Sequence, residues 1–163
     1  MKESDYYINE ASETLSNIKK SSYYNLINQA NTDNTLCHHD FTQHNVILTP
    51  DHEYITSFNN CCIEIKEYDI ANFLRRKMRK CNWDFAIGKC ILDNYRSICK
   101  LRDDEFDVLQ IILRFPQKFW RIANKYYNSK RSWCEKSCLE KINEVLDEKA
   151  PLRDFLNNFD LLY

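Results

Sequence analysis

The chain of 163 residues contains one glycine, Gly88, and three prolines. Backbone that closes around a phosphate needs several glycines, because a side chain would hold the two apart. A Walker-type loop, a dinucleotide-binding turn and the glycine-rich loop of a kinase are therefore excluded from these residues. A basic excess is also missing. The formal net charge is -1 and the isoelectric point about 6.4, which argues against a dedicated nucleic-acid binder. No apolar run follows Met1, and none approaches the ~18–20 residues of a membrane span. The expectation is a chain without a secretory signal or membrane partner, its thiols reduced in a cytoplasm.

What remains is ordinary globular composition, 44% hydrophobic and 29% charged, enough for one domain with a buried core. Eight cysteines are many for this length. Cys90 and Cys99 sit at helical spacing and read as small apolar residues. Cys134 and Cys138 are four apart, and Cys61 and Cys62 adjacent. Neither arrangement repeats the paired C-x-x-C spacing of a structural zinc site. The cluster Cys37, His38, His39 and His44 matches no common zinc pattern, so no metal is expected on it. Cys37, after Leu36, reads as a buried thiol, and His44 as an exposed loop residue.

The periodicity is mostly helical. Ser4 is placed as an N-cap before the stripe Ile8, Ala11, Leu15 and Ile18, and a second helix follows Ser22 with Leu26, Ile27 and Ala30 inward. The polar run 31–35 ends it. Val46–Leu48 and Tyr54–Phe58 read as a hairpin around Pro50 and Asp51. Helices resume after Glu67, first with Ile70, Leu74 and Met78 on one face. The cations Arg75, Arg76, Lys77, Arg79 and Lys80 read as a solvated helix end favoured by the macrodipole. Further helices carry Ile87, Ile91, Tyr95 and Ile98, then Phe106, Leu109 and Leu113. Pro116 opens the next, whose Phe119, Trp120, Tyr126 and Tyr127 are expected in the core. Ser132 and Glu135 read as a capping box opening a helix through Leu139, Ile142 and Leu146. A last short helix is expected from Leu152 to Asn158.

Chemistry concentrates in CHHDFTQHN (37–45). His38, Asp40 and Asn45 give H-x-D-x-x-x-x-N, the spacing of the catalytic loop in kinase-like phosphotransferases. Asp40 would orient the proton of a substrate hydroxyl, and Asn45 would offer an amide oxygen to magnesium. A hairpin at the right distance normally returns a second acidic ligand to the same metal.

On these residues, on EYDIANFLRR (67–76), on SSYYNLINQA (21–30) and above all on FPQKFWRIANKYYNSKRSW (115–133), the chain resembles the CotS family of spore-coat proteins. That family belongs to the aminoglycoside-phosphotransferase branch of the kinase-like superfamily. The resemblance implies a mainly α (α+β) fold. Residues 1–163 would form a single kinase-like C-terminal lobe, with the catalytic-loop motif at 38–45, a hairpin at about 46–58 and a helical remainder. The N-lobe is expected to be absent, since it would precede Met1. Asp40 and His38 take the catalytic-loop positions, Asn45 the magnesium position, and Asp69 that of an aspartate steadying the loop. A helix-start carboxylate at 69 would also be favoured by the macrodipole alone. The family's glycine between histidine and aspartate is His39 here. Its aspartate–phenylalanine–aspartate stretch is Ser57, Phe58 and Asn59, which removes the magnesium carboxylate. Between Glu53 and Glu64 there is no carboxylate to replace it.

These departures lead to the expectation of an inactive, structural or interaction component of the spore coat or mother-cell cytoplasm. Its partners would be other coat proteins or further copies of itself, through the hairpin and catalytic-loop face. No cofactor is expected. The alternative is a phosphotransferase on a hydroxylated small molecule or protein, using ATP and magnesium and completed by an N-lobe on another chain.

Overall fold

The computed structural model describes residues 2–128 and 135–163. Helices α1 (Lys2–Lys20) and α2 (Tyr23–Asp33) lead into strand β1 (Leu36–Cys37). A single 3-10 turn at Gln43–Asn45 precedes β2 (Val46–Leu48) and β3 (Glu53–Ile55). A second such turn at Phe58–Asn60 precedes β4 (Cys62–Ile63). The rest is helical: α3 (Lys66–Lys80), α4 (Phe85–Ile98), α5 (Asp103–Arg114), α6 (Gln117–Asn128) and α7 (Glu135–Asn157).

The strands are nested. β2 and β3 pair antiparallel, Val46 opposite Ile55 and Leu48 opposite Glu53. Outside them β1 and β4 pair antiparallel, Leu36 opposite Ile63 and Cys37 opposite Cys62. The loops between inner and outer pairs, 38–45 and 56–61, must therefore run side by side. The hairpin is shorter than its apolar run, because Ser57 is left-handed (φ 67°) and turns Phe58 out of the strand.

The main core lies among α3, α4, α5 and the end of α7. Leu74, Met78, Leu92, Leu109, Leu113, Phe155 and Phe159 are all but inaccessible there. Several expected faces shift. Helix α1 already includes Ser4, so Ser4 is not its cap. Its buried stripe is Tyr7, Ala11 and Thr14, while Ile8 and Leu15 are exposed. Tyr7 takes over because its hydroxyl donates to the Val145 carbonyl at 2.9 Å and its ring stacks on Phe119 at 4.6 Å. In α6 the buried residue is Ile122; Trp120, Tyr126 and Tyr127 face outward rather than into the core. Cys90 is exposed, not an apolar filler, and Ile98 is exposed at the end of α4. The expected short last helix is the continuation of α7, which passes through Pro151. Burial of Phe155 and Leu156 holds the turn that follows that proline. Ser132 lies outside the described residues.

The basic run on α3 is a solvated face only in part: Arg76, Lys77 and Lys80 are exposed, Arg75 and Arg79 are not. Arg75 is buried and donates to the Ile112 carbonyl at 2.6 Å and to Asn72 and Gln117. Arg79 pairs with Glu148 at 3.1 Å. These cations tie α3 to α5, α6 and α7.

Two sites in this core are directly testable. A Cβ at Gly88 would come within 2.5 Å of Phe155 Cε2 and 3.3 Å of Met78 Cε. Gly88→Ala is expected to overpack the α4–α7 contact and cost about 1–3 kcal/mol in denaturant unfolding, despite the better helix propensity of alanine. Glu67 is buried with Oε1 unpartnered. Burial pushes its carboxyl up to about 7, its own backbone hydrogen bond offsetting part of the rise and the charge of Glu105 adding to it. The native state thus holds this proton more tightly than the unfolded chain does. The resulting stabilisation is complete below the ordinary carboxylate range and is lost as pH rises through about 7. Glu67→Gln is expected to remove that pH dependence and to raise stability at pH 8 by about 1–3 kcal/mol, read from unfolding curves at pH 5 and 8.

Candidate functional site

The nested strands set loop 38–45 against loop 56–61, and one side chain from α3 fixes the first of them. Asp69 accepts the backbone N–H of His38 on Oδ2 at 2.6 Å and that of His39 on Oδ1 at 2.9 Å. Charge-assisted bonds of this kind are among the stronger ones in a protein. They hold residue 39 at φ 60°, the left-handed conformation that favours glycine. That geometry accounts for a glycine at this position in the family the sequence resembles. Here His39 adopts it instead, its ring stacked on Tyr68 at 4.3 Å.

His38 links the two loops. Its ring is buried, and Nε2 lies 2.8 Å from the Thr56 carbonyl oxygen. Nδ1 accepts the Asp40 N–H at 3.2 Å. Since Nδ1 accepts, Nε2 carries the proton and donates to Thr56, which fixes the tautomer. Phe58 packs on the same ring at 4.7 Å. A histidine held this way orients Asp40 and the following strand; both of its nitrogens are already used.

Asp40 and Asn45 lie together. The Asn45 amide donates to the Asp40 carbonyl at 2.8 Å and approaches its carboxylate Oδ2 at 3.3 Å. The Asn45 carbonyl accepts from the Thr56 N–H at 2.9 Å, so Ser57 follows directly beside it. The other carboxylate oxygen of Asp40 accepts from Arg76 Nη2 at 2.8 Å. Arg76 was not legible as a site residue, because it sits within a run of cations. Its signal is its place on α3, seven residues beyond Asp69, two turns along one helical face.

The geometry brings His38, Asp40, Asn45, Ser57 and Asp69 into one constellation. Cys37 begins it as a buried thiol, pushed up to about 12 by burial and by the neighbouring Asp69 and Glu64 charges. His44 is exposed at the rim. A magnesium ion held between loop and hairpin would meet the Asn45 amide and the Ser57 hydroxyl, both neutral. A hard divalent cation favours charged oxygens, and the Asp40 carboxylate is engaged by Arg76. This donor set does not fit the metal.

Comparison with known proteins agrees with this architecture. The family model described as "Spore coat putative kinase YutH" matches residues 6–159. Spore coat protein S of Bacillus subtilis (strain 168) is 22% identical over 165 aligned residues, covering 100% of this chain and 47% of that protein. Among solved structures, an aminoglycoside phosphotransferase from Alicyclobacillus acidocaldarius superposes with a TM-score of 0.84 at 22% identity, over 96% of this chain and 47% of that one. The chain thus shares a phosphotransferase fold and spans about half the length of both relatives.

Asp69→Ala would leave two N–H groups without their acceptor. It is expected to cost about 2–4 kcal/mol and to raise hydrogen exchange selectively at residues 38 and 39. Asp69→Asn, keeping one acceptor, should fall between that variant and the wild type in both measurements.

Proposed function

The chain belongs to the spore coat YutH family, and from that membership we propose that it is a spore-coat component whose kinase-like fold serves structure and partner binding rather than phosphoryl transfer. The observation that carries the reading is the state of the site: Asp40 paired with Arg76 at 2.8 Å beside a hairpin that offers Ser57 in place of a carboxylate. Phosphoryl transfer depends almost wholly on positioning and on charge stabilisation by metal. A neutral hydroxyl supplies neither the charge nor the affinity. Residues 1–163 are read as one kinase-like C-terminal lobe, in which Asp40, His38 and Asn45 persist for the hydrogen bonds that shape the loop. Asp69 holds that loop in place.

The partner-binding part rests on the hairpin, which is apolar and exposed on both of its faces. Ile47 and Tyr54, paired on one face, and Leu48 and Ile55 on the other are all exposed, and Leu36, Phe58 and Ile63 are exposed on the neighbouring segments. Seven large apolar side chains exposed on so short a segment support a contact site. The occupant under this reading is another coat protein or a further copy of the chain, and the protein resides in the coat or the mother-cell cytoplasm. Among the described residues, no helix is long and apolar enough to cross a membrane.

One observation favours a second reading. Asp40 and Asn45 are both present and lie together, which suits a phosphotransferase for a hydroxylated small molecule or protein, completed by a nucleotide-binding lobe on another chain.

Calorimetric titration with ATP in excess magnesium, on the purified chain alone and again with any nucleotide-binding lobe encoded in the adjacent reading frame added, separates the two. The expected outcome is no magnesium-dependent binding and no turnover, unchanged by Asp40→Ala, with a tagged copy fractionating with the spore coat. Ser57→Asp is expected to introduce measurable magnesium affinity. Magnesium-dependent ATP binding in the wild type, lost in Asp40→Ala, would establish the second reading instead.

A further inference from the structure

In the same loop as Asp40, His39 forms a thiol–imidazole pair with Cys62 of β4. Cys62 Sγ lies 3.1 Å from His39 Nε2, and Cys62 is exposed to solvent. Both ends are held by backbone. Cys62 is in register opposite Cys37 in the outer strand pair. His39 is pinned through its N–H to Asp69, and its ring lies nearly parallel to that of Tyr68, at 22°. A nucleophile within reach of a base, with the base oriented by further groups, is the arrangement that activates a thiol.

The other described cysteines lack it. Cys37 is buried, its thiol donating to the Glu64 and Ile65 carbonyls at 3.3 Å. Cys81 and Cys99 are half-buried. Cys61 and Cys90 are exposed, and among the described residues neither has an imidazole partner.

We propose that Cys62, with His39 as its base, is a thiol–disulfide exchange site that takes low-molecular-weight disulfides. The Cys62 S–H proton passes to His39 Nε2, and the thiolate sulfur attacks one sulfur of the incoming disulfide. The new Cys62 S–S bond forms as the old S–S bond breaks. The departing thiolate then takes the proton from the imidazolium. Cys62 is oxidised to a mixed disulfide, the leaving half is reduced to a thiol, and no further oxidant is consumed. The site is independent of whether the chain transfers phosphate.

The test treats the full, reduced chain with limiting oxidised glutathione, quenches by alkylation and reads each cysteine by peptide mass spectrometry, with fragmentation separating Cys61 from Cys62. Cys62 is expected to acquire glutathione at least fivefold faster than Cys61 or Cys90. His39→Gly, which suits the left-handed backbone, and His39→Asn should each bring Cys62 down to the rate of Cys61 while leaving Cys90 unchanged. A wild-type Cys62 no faster than Cys61 and Cys90 would overturn the proposal. So would an undiminished Cys62 rate in either folded variant.

Discussion

Two backbone N–H groups end on one carboxylate, and the rest of the site follows from that. Loop 38–45 has no regular partner for its first two amides: it leaves β1 after Cys37 and does not rejoin a strand until Val46. Asp69 supplies both acceptors from the first turns of α3. The left-handed turn at residue 39 becomes tolerable because each neighbouring amide is satisfied. With that turn fixed, the His38 ring points at Thr56, the Asp40 carboxylate at Arg76, and the His39 ring at Cys62.

One helix thus controls the loop at two points. Asp69 holds its backbone, and Arg76 holds the side chain of its acid. The second contact is partly solvated and by itself contributes little stability. Its importance under the proposed reading is chemical, since it gives the Asp40 carboxylate a cationic partner at the loop position that the sequence resemblance marks as catalytic.

Much of this was legible in the sequence, for identifiable reasons. The spacing of His38, Asp40 and Asn45 reports a local loop geometry, and local geometry survives in a linear pattern. The apolar stripes of α3 and α5 were equally clear, because Leu74, Met78, Leu109 and Leu113 are fully buried at helical spacing. The misreadings share a cause. In α1 the choice between Ile8 and Tyr7 turned on a hydrogen bond to Val145, far along the chain. In α3 the cations looked interchangeable, although Arg75, Arg76 and Arg79 each have a different distant partner. The continuity of α7 through Pro151 depends on packing around Phe155, which outweighs a local breaker signal. Hydrophobic period shows which face is apolar, but not which polar group on another element will claim a side chain.

The nested strand pairs also impose an order on folding. The inner hairpin closes a turn of a few residues and can form early, on the timescale of local structure. The outer pair joins Leu36 to Ile63 and encloses everything between them, so its loop-closure entropy is larger and its contacts come later. It is only two residues long on each side and has little hydrogen bonding with which to offset that cost. It therefore forms only once α3 is docked and Asp69 is in place. The site should then assemble, and on partial unfolding come apart, as one cooperative unit that opens before the helical core does.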